Sequence, residues 1–234
     1  TGNGAFMKRY EDAVALAEEM VSIGTLAGKK TAAVITGMDQ PLGFAVGNSL
    51  EVIEAIDTLC GRGPEDFKEV VFALGAKMLV FGGRAADEAE AVRLMEGAIA
   101  DGSALKKLAE FVEAQGGDAA PVYDTSLLPI ADKTFIVRAP KDGYVNRILA
   151  EEVGTACMQL CGGRENKDSE IDISVVILLK KKNGDAVTAG EPLAVLYGRD
   201  EGKLRAAADR VQAAYEIGRE RRKPDPVIYR SIDG

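Results

Sequence analysis

Thr36-Gly37-Met38-Asp39-Gln40-Pro41-Leu42-Gly43-Phe44-Ala45-Val46-Gly47-Asn48-Ser49-Leu50-Glu51-Val52-Ile53-Glu54-Ala55 begins where an apolar run, Ala32 to Ile35, stops. Pro41, Gly43 and Gly47 punctuate it, after which Leu50, Ile53 and Ile56 recur at helical spacing. A chain that leaves a buried strand, loops through glycines and enters a helix sets its backbone at a sheet's carboxyl edge, where open α/β sheets bind ligands. The stretch therefore reads as strand, loop and helix, and as the first place to look for a site.

Before it, Tyr10 to Ile23 carries Ala13, Leu16, Ala17, Met20 and Val21 on one helical stripe, closed by Gly28. Thr31 to Ile35 is a short β-like run. After it come helical patterns over Leu50–Leu59, Glu65–Val80 and Asp87–Ala114, the last with a candidate break at Asp101-Gly102-Ser103. One strand followed by several helices suits the later part of an α/β domain. Periodicity vanishes from Ala119 to Pro129, as in a linker. Beyond it, Thr134–Ala139, Gly143–Ala150, Asp172–Lys180 and Pro192–Tyr197 read as strands, with Asp142-Gly143 and Asn183-Gly184 as tight-turn dipeptides. Val153–Leu160 reads as a short helix, Glu201–Gly218 as a long one, and Pro226–Ile232 as a strand-like tail. The expected fold class is α/β followed by α+β. Residues 1–118 form a partial α/β domain of helices with few strands, 119–131 a linker, and 132–234 an α+β domain with a barrel-sandwich-like antiparallel sheet.

The chain of 234 residues has ample material for a core, and its net charge of −8 argues against general affinity for nucleic acid or an anionic membrane surface. The basic run Lys180-Lys181-Lys182 is expected to be solvated surface, as is Arg219 to Lys223. Cys60, Cys157 and Cys161 make no disulfide framework and fit a reducing cytoplasm. Cys157 and Cys161 are expected to be buried as small apolar residues rather than metal ligands. No apolar run is long enough to span a bilayer. There is no histidine, so the commonest general acid/base is missing, and no initiator methionine; together these suggest a fragment.

Several motifs have bland readings beside functional ones. Gly2-x-Gly4 is half a dinucleotide loop at most, since no strand precedes it. Phe6 stands where an apolar residue often packs as a helix staple. Gly143-x-Val145-x-x-Ile148 and Gly184-Asp185-x-Val187-x-x-Gly190-x-x-Leu193 are like the two halves of a biotinyl- or lipoyl-carrier barrel. A carrier needs an exposed modified lysine in a hairpin, usually flanked by methionines. Lys167 has no such flanks, so the carrier reading is weak.

Taken together, Gly2-x-Gly4-Ala5-Phe6-Met7, Met38-Asp39-Gln40-Pro41-Leu42-Gly43 and Gly47-Asn48-x-Leu50-Glu51-Val52-x-Glu54-Ala55-Ile56 resemble the pyrimidine-nucleoside phosphorylase and thymidine phosphorylase family. Asp142-Gly143-Tyr144-Val145, Gly162-Gly163-Arg164, Ile171-Asp172, Gly184-Asp185 and Gly190-Glu191-Pro192-Leu193 extend the resemblance through the carboxy-terminal half. One departure stands out. Relatives commonly have Leu-Gly-Ala-Gly-Arg where this chain has Leu160-Cys161-Gly162-Gly163-Arg164, which puts the local turn in question.

The resemblance implies a pentosyltransferase that reversibly cleaves pyrimidine nucleosides with phosphate, giving free base and pentose 1-phosphate. It also implies that this is the carboxy-terminal portion, inactive alone, with the phosphate loop and the family's histidine, arginine, serine and lysine set lying upstream. No catalytic residue is assigned within the chain. Phe6 is implied as a wall of the pyrimidine pocket. Leu42 and Ala45, through their carbonyls, and Glu54, through its carboxylate, are implied as part of a potassium site that braces the phosphate loop. The parent is expected to be a cytoplasmic homodimer joined through a helical domain absent here, with no nucleic-acid or membrane partner. The competing expectation is a stand-alone binding or scaffold module, including a carrier-like barrel, without catalysis.

Overall fold

The computed structural model of the chain describes residues 1–164, 167–168 and 170–234. By packing, these divide into two compact units, each assembled from separated pieces of chain. The first takes residues 1–38, 56–122 and 226–234; the second takes 39–55 and 123–225.

In the first unit, helix α1 (Tyr10–Leu26) leads to strand β1 (Ala32–Thr36). The stretch 39–55, which belongs to the second unit, supplies strand β2 (Ala45–Val46) and most of helix α2 (Asn48–Leu59), and the residues of α2 from Ile56 onward belong to the first. Helices α3 (Glu65–Phe81), α4 (Glu88–Ala100), α5 (Ser103–Ala114) and α6 (Ala120–Tyr123) follow. The expected break in the third helical pattern is real. Asp101 ends α4, and its carboxylate accepts the Ser103 N–H at 2.8 Å as α5 begins. At the start of α4, Asp87 accepts the Glu90 N–H at 2.8 Å while Glu90 accepts that of Ala86 at 2.7 Å, so side chains satisfy two amide donors at the helix entry. Strand β1 pairs antiparallel with the terminal strand β9 (Ile228–Asp233), Ala32 opposite Asp233. Lys77 of α3 ties that strand down, with its ammonium 2.6 Å from both Asp233 and Glu88. The buried clusters here are small and alanine-rich, built on Ala76, Ala85 and Ala91 and on Ala109, Ala119 and Val122.

The second unit holds the larger core. Strands β3 (Lys133–Arg138), β4 (Gly143–Ile148), β5 (Val176–Leu179), β6 (Ala186–Val187) and β7 (Pro192–Gly198) are joined by helices α7 (Ala150–Cys157) and α8 (Glu201–Ala214) and closed by strand β8 (Tyr215–Gly218). They form a four-stranded sheet in the order β2-β5-β7-β3 and a three-stranded sheet in the order β6-β4-β8; every pairing is antiparallel. Between them lie Val145, Ile148, Val153, Ile177, Leu179, Leu193, Leu196 and Val211, with the small face of α8 (Ala207, Ala208) against them. The chain is thus a mixture of helices and antiparallel sheets.

Two expectations are corrected. The helix read as Glu201–Gly218 ends at Ala214, and its last four residues are strand β8. Tyr215 and Ile217 alternate into the core from there, a period of two that outweighs helix propensity. The run Lys180-Lys181-Lys182 is not uniformly solvated. Only Lys180 is exposed, while the Lys181 ammonium donates to the Ala186 carbonyl at 3.0 Å and sits 2.5 Å from Glu191. No helix among the described residues is long and apolar enough to cross a membrane.

Candidate functional site

Strand β2 is an edge strand, and the loop leading into it is held from the α2 side by one carboxylate. Glu54 Oε1 accepts the N–H of Phe44 at 2.9 Å and that of Ala45 at 3.2 Å. Two backbone donors on an ionised acceptor form a charge-assisted clamp. Gly43 has φ +65°, and a Cβ there would collide with Glu54 Oε2, so the residue permits both the turn and the approach of the carboxylate. The entry to α2 is fixed in a similar way, because Glu51 Oε1 accepts the Gly47 N–H at 2.9 Å.

The ladder decides where the remaining carbonyls face. The Phe44 carbonyl accepts the Leu179 N–H at 2.8 Å, and Ala45 stands opposite Leu178. Peptide groups alternate sides along an antiparallel strand, so Ala45 turns its own N–H and C=O away from β5. Its N–H meets Glu54. Among the described residues neither the Ala45 nor the Leu42 carbonyl accepts a hydrogen bond. Two such carbonyls and a carboxylate between residues 42 and 54 are oxygen donors with little total charge, a set suited to a large monovalent cation. A transition-metal cluster of three His, Cys, Asp or Glu side chains does not occur among the described residues. Leu42 is 38% exposed and Ala45 5%, so the loop runs from surface to interior over this short distance.

Lys182 donates from Nζ to the Gly43 carbonyl at 2.6 Å and also to the Pro41 carbonyl. Its ammonium lies 5.6 Å from the centroid of the Phe44 ring. The adjacent Asn183 N–H donates to Gln40 Oε1 at 3.0 Å. Sequence reasoning missed these residues because 139 positions separate Lys182 from Gly43, and no local spacing marks the pair.

Phe6 lies in the first unit, in a bend tied by Gly4 N–H to the Met38 carbonyl at 2.9 Å and Ala5 N–H to the Gly2 carbonyl at 3.1 Å. Its side chain is 95% exposed, so it does not pack as a helix staple.

The two neighbouring cysteines differ sharply. Cys157 is buried, and loss of solvation, with the nearby Glu51 charge, pushes its thiol up to about 11. Cys161, expected to be buried too, is only partly so. It faces a cleft of about 660 Å³ with Asp172, Arg199 and Lys203, and Lys203 Nζ lies 2.9 Å from its sulfur. Cys161 also has φ +79°. A side chain in the left-handed region costs about 1–2 kcal/mol. Cys161→Gly is therefore expected to raise stability by roughly 0.5–1 kcal/mol after glycine's own entropy cost. Cys161→Ala keeps the strain and is expected to bring no gain; urea midpoints of both variants check this.

Comparison with known proteins finds matches in both halves of the chain. The glycosyl transferase family a/b domain matches residues 1–105, and the pyrimidine nucleoside phosphorylase C-terminal domain matches residues 144–218. The pyrimidine-nucleoside phosphorylase of Geobacillus stearothermophilus is 51% identical over 201 residues, covering 86% of this chain and 46% of that protein. The chain belongs to the pyrimidine-nucleoside phosphorylase family.

Other phosphorylases give the same picture. Those of Staphylococcus haemolyticus and Bacillus subtilis are each 50% identical over 201 residues, again covering 86% of this chain and 46% of the relative. The chain spans about half the length of the curated phosphorylases it matches.

Proposed function

We propose that this chain contributes part of an enzyme that reversibly cleaves pyrimidine nucleosides with phosphate. Phosphate oxygen forms a bond to the anomeric carbon as the bond to the base nitrogen breaks, and the base leaves with that electron pair. The observation that carries this reading is the identity of about half of the aligned residues with proteins named pyrimidine-nucleoside phosphorylase.

The transition state gathers positive charge on the sugar and negative charge on the base, so catalysis rests on donors to the base and on a firmly held phosphate. This chain's share is support. Phe6 offers an exposed apolar ring as a wall for a flat pyrimidine, which suits a pocket built mainly from apolar surface. Leu42, Ala45 and Glu54 hold a potassium ion, which when bound neutralises Glu54 and braces the phosphate-binding segment. The Glu54 clamp on Phe44 and Ala45 supports this reading, because it fixes the backbone whose carbonyls face the ion. The acid/base and phosphate-binding groups come from polypeptide outside these residues, and the working enzyme is a cytoplasmic homodimer.

A chimera tests the proposal, with the portion of the Geobacillus relative that this chain does not match placed ahead of Thr1. It is expected to release base from thymidine or uridine only when phosphate is present, whereas the 234-residue chain alone is expected to release none. A folded chimera without turnover would sink the family activity, and turnover by the chain alone would sink the division of labour. In the chimera, Phe6→Ala is expected to raise the nucleoside KM about tenfold and leave the phosphate KM unchanged, the loss of one apolar wall being worth roughly 1.4 kcal/mol.

A further inference from the structure

The structure points to Lys182 as a positioning residue for the candidate cation loop. We propose that its ammonium is a built-in cation that occupies the Pro41 and Gly43 carbonyls and so leaves those of Leu42 and Ala45 to an exchangeable ion. The second clause rests on the potassium reading above; the first stands without it.

Four ties run from the segment 179–183 to the segment 40–44. Leu179 N–H reaches the Phe44 carbonyl at 2.8 Å, Lys182 Nζ reaches two carbonyls, and Asn183 N–H reaches Gln40 at 3.0 Å. An ammonium has three donors and no acceptor, so two backbone carbonyls satisfy most of its capacity and tie it down. The segment that carries Lys182 is itself anchored. Its backbone N–H donates to Asp185 Oδ2 at 2.8 Å, and the buried Tyr215 hydroxyl reaches the Lys181 carbonyl at 3.1 Å. A lysine on so well fixed a turn is a rigid strut rather than a mobile surface charge. Glu54 in turn holds the N–H groups of Phe44 and Ala45. The loop is thus gripped by its carbonyls at 41 and 43 and by its amides at 44 and 45. A loop with glycine at 43 would otherwise sample many peptide orientations. Groups that orient a metal's ligands typically change its affinity 10- to 100-fold when removed.

The test uses Lys182→Met, which keeps the length of the side chain and removes the charge, with Lys182→Arg as the variant that restores it. Amide hydrogen exchange at Phe44 and Ala45 reads the loop directly. Exchange is expected to accelerate at least tenfold in Lys182→Met and to return most of the way in Lys182→Arg, with the core amides of β7 unchanged. Equal exchange at Phe44 and Ala45 in Lys182→Met and the parent overturns the proposal. Thermal unfolding of the chimera described above, across a KCl series set against NaCl and choline chloride, reads the ion. The half-saturating potassium concentration is expected to rise at least tenfold in Lys182→Met. An unchanged or lower value overturns the link to the ion. If the chimera with Lys182 intact responds no better to potassium than to choline, the potassium reading has failed, and exchange at Phe44 and Ala45 decides the role of Lys182 alone.

Discussion

Glu54→Ala is expected to lower stability by about 2–4 kcal/mol, the loss of two hydrogen bonds to a charged acceptor with incomplete rehydration of the donors. Those donors are the Phe44 and Ala45 amides, at the point where the loop enters the edge strand β2. Glu54→Gln separates the clamp from the charge. Its amide oxygen still accepts from both N–H groups, so the stability cost is expected to be about 1 kcal/mol, the difference between charged and neutral acceptors. The negative charge is gone, however, and any stabilisation by potassium is expected to go with it. Urea unfolding followed by circular dichroism, with and without KCl, gives both readings. If Glu54→Ala unfolds at the parent's urea midpoint, the clamp contributes nothing; if Glu54→Gln keeps the full potassium response, the carboxylate is not a ligand.

Gly47→Ala is expected to cost about 3–5 kcal/mol, combining the strain of a side chain in the left-handed region with overpacking against rigid neighbours. Gly47 has φ +110°, and a Cβ there would lie 2.9 Å from the Val175 carbonyl, 3.1 Å from Cys157 Sγ and 3.1 Å from Val176 Cα. Val175, Val176 and Cys157 are all buried, so the backbone on that side has nowhere to retreat. The strain falls where β2 hands over to α2, one residue before the helix that carries Glu54. Loss of stability should therefore be accompanied by faster amide exchange at Phe44 and Ala45. A Gly47→Ala variant within about 1 kcal/mol of the parent would show that the strand and helix can shift past each other, against the close packing expected of a buried junction.

The candidate site was legible to different depths. Phe6, Leu42, Ala45 and Glu54 were reached from the resemblance, because the glycine-punctuated segments that carry it are continuous in sequence. Lys182 was not reached, and composition pointed the wrong way, since three consecutive lysines read as a solvated run. What ties Lys182 down is the return of the chain to residues 40–44 after more than a hundred intervening positions. Cys161 is similar. Its spacing from Cys157 places the two four residues apart, but the chain leaves helical geometry after α7, with Cys161 at φ +79° and beside Lys203.

Helices α1 to α5 and strands β3, β4 and β7 follow from the sequence alone, because each carries its own period of 3.6 or 2 within a few turns of chain and needs no distant partner to declare it. The helix and sheet content and the family were settled at that level. Strand β2 was not visible, since two residues have no period, and they are a strand only because β5 pairs with them. Strand β8 looked helical until β4 claimed it. The same is true of the grouping of residues 39–55 with 123–225, which no composition shift announces. Local periodicity determines which elements form; pairing across long loops, whose entropy cost grows only slowly with length, decides which of them meet. That is why the opening stretch declared its loop and helix, while only the tertiary structure decided that Glu54 grips the loop's amides and Lys182 its carbonyls.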